Sequence, residues 1–230
     1  MIPVVLIPGM MCDARLFLPQ IETLSSNYTI QLAQITARET IADLATEILN
    51  HAPPKFALAG LSMGGIVAME IIAQAPDRVD RIALLDTNPR AELPAAKTAR
   101  EPQIEKVLSG KLHEVMRDEM KPNYLYDGPN RQDILDLCMN MSESLGAGVF
   151  VRQSRALQTR LDQQEMLKRM HVPALVLCGE DDKPCPVERH ELMHSLIPNS
   201  TLVIVEKAGH LSTLEQPKAV TNALIAWLEK

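Results

Sequence analysis

The sequence predicts an α/β fold, with a mostly parallel sheet of about six strands that carries helices on both faces. The first observation behind this prediction is that short apolar segments recur along the 230-residue chain and are bounded by residues that interrupt regular structure. The second is that longer amphipathic segments separate them. The third is that this alternation is interrupted once, over residues 89–170.

The strand candidates are apolar on both faces, as buried parallel strands are. In chain order they are Pro3–Ile7, Tyr28–Leu32, Phe56–Ala59, Arg81–Leu85, Ala174–Cys178 and Thr201–Val205. The helix candidates between them have apolar residues at helical spacing and are Glu39–Asn50, Ile66–Ala75, Val187–Leu196 and Lys218–Glu229. Strands that alternate with helices in this way favour parallel pairing with right-handed crossovers.

Residues 89–170 contain only helical patterns, which end at Gly110, Lys121-Pro122, Gly128-Pro129 and Gly146. Asn130 is a candidate N-cap for a helix over Arg131–Leu145. Asp162, followed three residues later by Glu165, predicts a capping box for a helix over Gln163–Met170. Helices inserted between parallel strands usually lie over the strand ends where ligands bind. We therefore expect a helical cap over residues 89–170 on a core of residues 1–88 and 171–230; a solvent-exposed insertion without a role is the alternative.

Composition and charge exclude several classes of protein. The net charge of −6 argues against a nucleic-acid footprint, which needs a clustered basic surface. No apolar segment reaches the roughly 20 residues that a membrane span requires. The start of the chain lacks the basic residues of a signal peptide, and the four cysteines form no CxxC pair. We expect a cytoplasmic protein that binds neither membrane nor nucleic acid and is a monomer or a small homo-oligomer.

The segment Gly60-Leu61-Ser62-Met63-Gly64-Gly65 lies between a strand candidate and a helix candidate. A Gly-x-Ser-x-Gly in that setting describes a nucleophile elbow, a turn so tight that the serine backbone is strained and its hydroxyl stands clear of the sheet. The glycines two positions on either side remove side chains that would collide. Ser62 is therefore the candidate nucleophile, and an ordinary turn between strand and helix is the alternative.

A serine nucleophile needs a histidine base and an acid that orients the histidine. His210 follows the last strand candidate and a turn glycine, whereas the other histidines lie in helices or follow no strand. Three aspartates lie at the matching edge of the sheet and remain open as the acid. Asp182 and Asp181 follow the fifth strand candidate, and Asp86 follows the fourth.

The negative oxygen of the reaction intermediate needs two hydrogen-bond donors. The backbone N–H of Met63, directly after the nucleophile, is one candidate. The backbone N–H of Met10 is the other, because Gly9 allows close approach and Pro8 has no N–H. Met11, together with Met139 and Met141 of the helical segment, is a candidate for an adaptable apolar wall around the substrate. Plain core packing is the alternative for these methionines.

The segment His190-Glu191-Leu192-Met193-His194 matches the His-Glu-x-x-His pattern of zinc peptidases. A third ligand has no clear candidate, and the predicted helix lies on the flank of the sheet. We interpret the match as chance and expect no metal.

Four segments resemble the α/β-hydrolase superfamily, specifically its compact bacterial members with a short helical cap. They are Leu6-Ile7-Pro8-Gly9-Met10, Gly60-Leu61-Ser62-Met63-Gly64-Gly65, the stretch from Gly179 through Asp182 to Pro186, and Gly209-His210-Leu211 with Glu215-Gln216-Pro217 following. The resemblance implies a carboxylic ester hydrolase without a cofactor, and its Gly-x-x-Asp spacing favours Asp182 as the acid. The chain departs from it at Pro8, where many relatives have histidine, and over residues 32–38, which lack a glycine-rich loop found in relatives.

The predicted function is hydrolysis of short-to-medium carboxylic esters through an acyl-enzyme on Ser62, with a small-molecule ester as substrate. The same residues could cleave thioesters, lactones or carbon–carbon bonds, or transfer the acyl group to an alcohol. A non-catalytic ligand-binding protein on this scaffold is the alternative from another class.

Overall fold

The computed structural model describes the whole chain, Met1 to Lys230, and confirms the predicted α/β fold. A single six-stranded sheet has the strand order β2-β1-β3-β4-β5-β6, and all neighbouring strands are parallel. The strands are β1 (Val4–Ile7), β2 (Ile30–Leu32), β3 (Phe56–Leu61), β4 (Val79–Leu85), β5 (Ala174–Gly179) and β6 (Ser200–Val205). Each strand candidate is present, with its ends shifted by no more than two residues.

Helices cover both faces of the sheet. They are α1 (Leu18–Leu24), α2 (Ile41–His51), α3 (Met63–Gln74), α4 (Pro94–Leu108), α5 (Leu112–Glu114), α6 (Arg131–Leu145), α7 (Ala147–Gln158), α8 (Gln164–Lys168), α9 (Val187–Leu196), α10 (Ser212–Glu215) and α11 (Pro217–Leu228). A π-helical stretch over Val115–Met120 and a single 3-10 turn over Lys121–Asn123 follow α5. No single helix is both long and apolar enough to cross a membrane; α6 and α7 pass that test together only as a pair bent by 96°.

Successive residues of each strand pack into different apolar layers, because side chains alternate across a strand. Val5 and Ile7 of β1 belong to a layer that includes residues of α2 and α3, whereas Val4 and Leu6 belong to a layer that includes α1 and α11. Both faces of the sheet are therefore buried, as its apolar strands require.

Residues 89–170, here called the helical region, contain α4 to α8 and no strand. Gly110 and Gly146 have φ of 88° and 80°, a left-handed conformation that suits the chain reversals after α4 and α6. Helix α6 has the predicted bounds, although the Asn130 side chain makes no capping hydrogen bond. That the helical region acts as a cap stays a prediction.

The predicted capping box at Asp162 and Glu165 is wrong. Helix α8 begins at Gln164, and Gln163 is its N-cap residue, with an N–H that donates to the Pro89 carbonyl at 2.8 Å. Asp162 instead accepts the N–H of Gln164 at 3.0 Å, and Glu165 pairs with Lys168 at 2.6 Å.

Candidate active site

Ser62 lies in the sharp turn between β3 and α3 with φ 55° and ψ −116°, an unusual conformation for a residue that is not glycine. Hydrogen bonds hold it there from the neighbouring strand β4. The Ser62 N–H donates to the Leu85 carbonyl at 2.9 Å, and the Thr87 hydroxyl donates to the Ser62 carbonyl at 2.7 Å. These two hydrogen bonds hold both the N–H and the carbonyl of Ser62 in the strained conformation.

The glycines around Ser62 occupy positions where a Cβ atom would overlap neighbouring backbone. A Cβ on Gly60 would collide with the Gly64 carbonyl, and one on Gly64 would collide with the Ile7 carbonyl. A Cβ on Gly65 would lie 2.6 Å from the Thr87 hydroxyl. The glycine pattern in the sequence is thus a direct requirement of the close packing of β1, β3 and α3.

His210 connects Ser62 to Asp182 through hydrogen bonds. Its Nε2 lies 2.9 Å from the Ser62 Oγ, and its Nδ1 lies 2.9 Å and 3.0 Å from the two carboxylate oxygens of Asp182. A carboxylate at Nδ1 favours the tautomer with its proton on that nitrogen, which leaves the Nε2 lone pair facing the serine hydroxyl. Asp182 and His210 are both 2 % exposed, whereas Ser62 is half-buried.

Of the three aspartates that the sequence left open, the structure places Asp182 next to His210. Asp181 is exposed. Asp86 is fully buried but binds elsewhere, since its carboxylate accepts the Gly179 N–H at 2.9 Å and the Ser212 hydroxyl at 2.5 Å. Burial, together with the nearby negative charge of Asp182, raises the pKa of Asp86 well above its usual value. Asp86 therefore fastens the loop that begins at Gly179.

The turn that carries His210 is held by Glu215 and by Tyr124 and Tyr126 of the helical region. Glu215 accepts the N–H groups of Gly209 and Leu211 at 2.9 Å and 3.1 Å, on either side of the histidine, and that of Tyr126 at 2.7 Å. The His210 N–H donates to the Tyr124 carbonyl at 2.6 Å. The Tyr124 ring meets the His210 ring edge-on, with centroids 5.1 Å apart. The only signal in the sequence was Glu215 in its Glu-Gln-Pro segment.

The two predicted oxyanion donors have backbone N–H groups without an internal partner. Met63 is the first residue of α3, so its N–H has no intrahelical acceptor. The Met10 N–H has no acceptor in the structure, whereas the Met11 N–H donates to the Gln153 side chain at 2.8 Å. A Cβ on Gly9 would lie 3.4 Å from the Ser62 Cβ, so the Met10 loop runs directly beside the serine. Their role as oxyanion donors stays a prediction.

The three methionines predicted to contact substrate lie in different surroundings. Met11 and Met141 are fully buried in the apolar layers of the core. Met139 is half-buried and lines a cavity of about 750 Å³ in the helical region. A substrate would reach Met11 or Met141 only after neighbouring side chains moved, and the predicted contacts are untested.

Hydrogen bonds within the fold account for the two histidines of the His-Glu-x-x-His segment. His190 is fully buried, and its Nε2 accepts the Thr87 N–H at 2.9 Å. His194 is exposed, and its Nδ1 lies 2.8 Å from the Ser200 hydroxyl.

The one set of side chains close enough to hold a metal ion is Asp182, Cys185 and His210, whose ligand atoms lie within 4.8 Å of one another. Burial and the nearby carboxylate of Asp182 raise the pKa of the Cys185 thiol, which makes it a poor ligand.

A parallel sheet, a strained serine between strand and helix, and a histidine bonded to both that serine and an aspartate define the α/β-hydrolase class of protein. The family model described as "Alpha/beta hydrolase family" matches residues 4–223, and this chain belongs to that family.

Two relatives are both described as pimeloyl-[acyl-carrier protein] methyl ester esterases. The chain is 24% identical to the one from Klebsiella pneumoniae, over 88% of this chain and 84% of the relative. It is 26% identical to the one from Pectobacterium carotovorum, over 83% of this chain and 76% of that protein.

Solved structures show the same fold over the full chain. A thermophilic esterase from Thermogutta terrifontis, with malate bound, superimposes with a TM-score of 0.91 at 29% identity, covering 100% of this chain and 90% of that one. An enol-lactonase from Burkholderia xenovorans LB400 superimposes with a TM-score of 0.88 at 20% identity, covering 100% and 92%. The second likeness concerns the fold alone.

Proposed function

We propose that this protein hydrolyses short-to-medium carboxylic esters through an acyl-enzyme formed on Ser62. The chain is a carboxylic ester hydrolase; the serine intermediate and the acyl preference are the new elements. The observation that carries the mechanism is the unbroken hydrogen-bond series from the Ser62 hydroxyl through His210 to Asp182, with distances of 2.9 Å at both links. Such a series removes a proton from the serine at the moment of attack.

In the first half of the proposed reaction, the Ser62 Oγ forms a bond with the carbonyl carbon of the ester while His210 Nε2 accepts the hydroxyl proton. The carbonyl electrons move onto oxygen, and the N–H groups of Met10 and Met63 stabilise that negative charge. Collapse of the intermediate breaks the bond to the alkoxy group. His210 returns its proton to this leaving group, which departs as the alcohol.

In the second half, water attacks the acyl carbon and His210 accepts a proton from the water. The bond to Ser62 breaks, the serine regains its proton from His210, and the carboxylic acid leaves. Asp182 stays ionised throughout and stabilises the positively charged imidazole. Every proton transfer passes through one nitrogen, Nε2 of His210, which the Asp182 contact keeps aimed at Ser62.

The preference for short-to-medium acyl groups follows from how the site is enclosed. His210 is almost completely buried and packs against Tyr124 of the helical region, and Ser62 is half-buried. We therefore expect the helical region to enclose the acyl group beside Ser62. In an enclosed apolar site each added methylene favours binding by about 0.8 kcal/mol until the space is filled. Longer chains are then penalised by overpacking. We expect the optimum between about two and eight acyl carbons.

The test is a series of p-nitrophenyl esters from two to sixteen acyl carbons, compared by kcat/KM, together with labelling by a fluorophosphonate probe. Mass spectrometry should place the probe on Ser62, and the Ser62→Ala protein should stay unlabelled. An optimum at sixteen carbons would contradict the enclosed site. Labelled Ser62 without turnover of any ester would point instead to thioesters, lactones or carbon–carbon bonds.

A further inference from the structure

Lys121 is a buried cation without a hydrogen-bond acceptor. It lies in the single turn Lys121–Asn123 of the helical region and is 2 % exposed. Its Nζ has no hydrogen-bond partner, although an ammonium group has three N–H donors to satisfy. The nitrogen lies 4.4 Å from the centroid of the Tyr124 ring. A ring face attracts the charge but offers no oxygen acceptor, so the group is only partly compensated.

Two arginines of the helical region add to this excess of positive charge. Arg100 and Arg160 both approach Glu92, with nitrogen–oxygen distances of 3.2 Å and 3.5 Å. One carboxylate therefore serves two guanidinium groups, and the Nε of each arginine is buried without a hydrogen bond, although the Arg160 Nε is the atom that lies 3.5 Å from Glu92. The buried side-chain nitrogens without an acceptor in this protein are these two and the Lys121 Nζ. All three are cationic, and all three belong to the helical region.

The position of Lys121 places this charge beside the candidate active site. The Tyr124 ring that Lys121 contacts is the ring that packs against His210. Burial raises the pKa of Tyr124, and the charges of Lys121 and Arg100 oppose that shift. Burial also raises the pKa of Cys12 to about 12, again opposed by Lys121. Cys12 follows the predicted oxyanion donor Met10 by two residues, so the charge of Lys121 acts on that loop as well as on Tyr124.

Lys121 also lines the cavity of about 750 Å³ in the helical region. Apolar atoms of Leu135 and Met139 contribute to the same wall. His113 and Glu143, on the rim, already pair with each other at 2.7 Å. Lys121 has no carboxylate partner. The cavity thus offers room for a short carbon chain beside Lys121, whose enclosed Nζ a ligand reaches after neighbouring side chains move.

We propose that Lys121 binds a carboxylate of the substrate, and that the preferred substrates are esters carrying a second, anionic group. The proposal rests on the proposed function of Ser62 and specifies its substrate class. A carboxylate accepts hydrogen bonds from an ammonium and neutralises its charge. It would therefore give Lys121 both the hydrogen-bond acceptor and the negative charge that the protein itself does not supply. One end of the molecule then lies at the buried cation while the ester lies at Ser62.

The first test compares anionic and neutral esters of equal length with the wild-type protein. Monomethyl adipate against methyl hexanoate places the carboxylate on the acyl side, and 6-acetoxyhexanoate against hexyl acetate places it on the alcohol side. One of the two anionic esters should have a kcat/KM at least about tenfold above its neutral partner, as expected for a charge-assisted hydrogen bond. The pair of esters that shows the preference identifies whether the acyl side or the alcohol side of the substrate reaches Lys121.

The second test measures the same ratio in Lys121→Met, which keeps the volume of the side chain and removes its charge. The ratio of anionic to neutral kcat/KM should fall to about one, mainly through KM of the anionic ester. The matched control is Lys106→Met, which removes an exposed lysine of the same region that pairs with Glu119 at 2.7 Å. That control should keep the wild-type ratio.

The outcomes separate this inference from the proposed function. Turnover of neutral esters without preference for either anionic ester overturns the role of Lys121 and leaves the serine mechanism intact. An equal fall for both esters in Lys121→Met also overturns it, because a purely structural lysine would behave that way. Absence of turnover for all four esters, with Ser62 unlabelled by fluorophosphonate, would overturn the proposed function itself.

Discussion

The sheet with its loops and the helical region differ in how they treat buried charge. At the sheet, the two buried aspartates both have hydrogen-bond partners: Asp182 binds His210 and the Cys185 N–H, and Asp86 binds Gly179 and Ser212. In the helical region, the buried lysine lacks any acceptor. The sequence shows the same separation, since residues 89–170 contain 13 Lys and Arg against 12 Asp and Glu, and the rest contains 10 against 17.

This difference concerns charged side chains, because the buried side-chain atoms outside residues 89–170 that lack a partner, Gln20 Oε1 and Thr213 Oγ1, are neutral. Buried polar groups in folded proteins are normally hydrogen-bonded, and those that are not call for an explanation. The strand ends form a closed set of contacts around Ser62 and His210. The helical region holds charge that its own residues do not neutralise. We therefore expect substitutions at the sheet to affect chemistry and stability, and those in the helical region to affect selectivity.

The largest effect should come from Ser62→Ala. If Ser62 is the nucleophile, its loss should lower kcat for a p-nitrophenyl ester by about 10⁶-fold, the size of the effect in well-studied serine enzymes. The measurement is steady-state turnover, with circular dichroism to show that the variant is folded. A variant that kept a tenth of the wild-type rate would end the serine mechanism.

Gly64→Ala should destabilise the protein by more than about 3 kcal/mol, because its Cβ would collide with backbone that cannot move aside. Urea denaturation gives the free energy of unfolding, and failure of the variant to fold would be the extreme form of the same result. Wild-type stability in this variant would show that the sheet edge is less tightly packed than the structure indicates.

His190, which lies in the core outside the helical region, should make the stability of the protein depend on pH. Burial lowers the pKa of His190 to about 4, from 6.5, and protonation would remove the Nε2 acceptor for the Thr87 N–H. Below pH 6.5 the unfolded chain binds a proton that the folded protein takes up only near pH 4. The contribution of neutral His190 to the free energy of unfolding is therefore complete above pH 6.5. It is lost as the pH falls to 4, by up to about 3 kcal/mol.

The measurement compares urea denaturation of the wild type and His190→Gln between pH 7 and pH 4. The stability advantage of the wild type should shrink across this window. The comparison with the variant is needed because Asp86, with its raised pKa, contributes in the opposite direction. A difference between the two proteins that is independent of pH would contradict the assignment to His190.

The smallest effect should come from Gly148→Ala, the counterpart of Gly64→Ala in the helical region. Gly148 is exposed near the start of α7, and the nearest atom to an added Cβ is at the far end of the Arg152 side chain, at 3.3 Å. Alanine restricts the unfolded chain, so the variant should be more stable by up to about 1 kcal/mol. A loss of stability as large as that expected for Gly64→Ala would show that the two regions do not differ in how tightly they are packed.

Much of the sheet was predictable because its strands follow simple rules. Apolar runs bounded by turn residues predicted all six strands, and parallel pairing brings their carboxyl ends to one edge. Ser62, Asp182 and His210 could therefore be placed near one another without a structure. The choice between Asp182 and Asp86 could not come from position alone, since both follow strands at that edge. It depends on which carboxylate faces His210 Nδ1.

The contacts of the helical region with the site were not predictable in the same way. Residues 112–123 form a short helix, a π-helical stretch and a 3-10 turn, so no single period of apolar residues describes them. Tyr124 and Lys121 consequently gave no signal. Their positions depend on long-range packing, of Tyr124 against His210 and of Lys121 against Tyr124, which local sequence does not encode.

The contact at Gly209 has a consequence for exchanging parts between members of the family. A Cβ on Gly209 would lie 2.5 Å from the Tyr124 carbonyl, and Glu215 binds Tyr126 as well as the residues flanking His210. The segment 124–126 and the turn 209–215 are therefore closely matched to each other. We therefore expect a chimera that imports residues 89–170 from a relative to need this turn as well, so the exchangeable unit is discontinuous in sequence and includes His210.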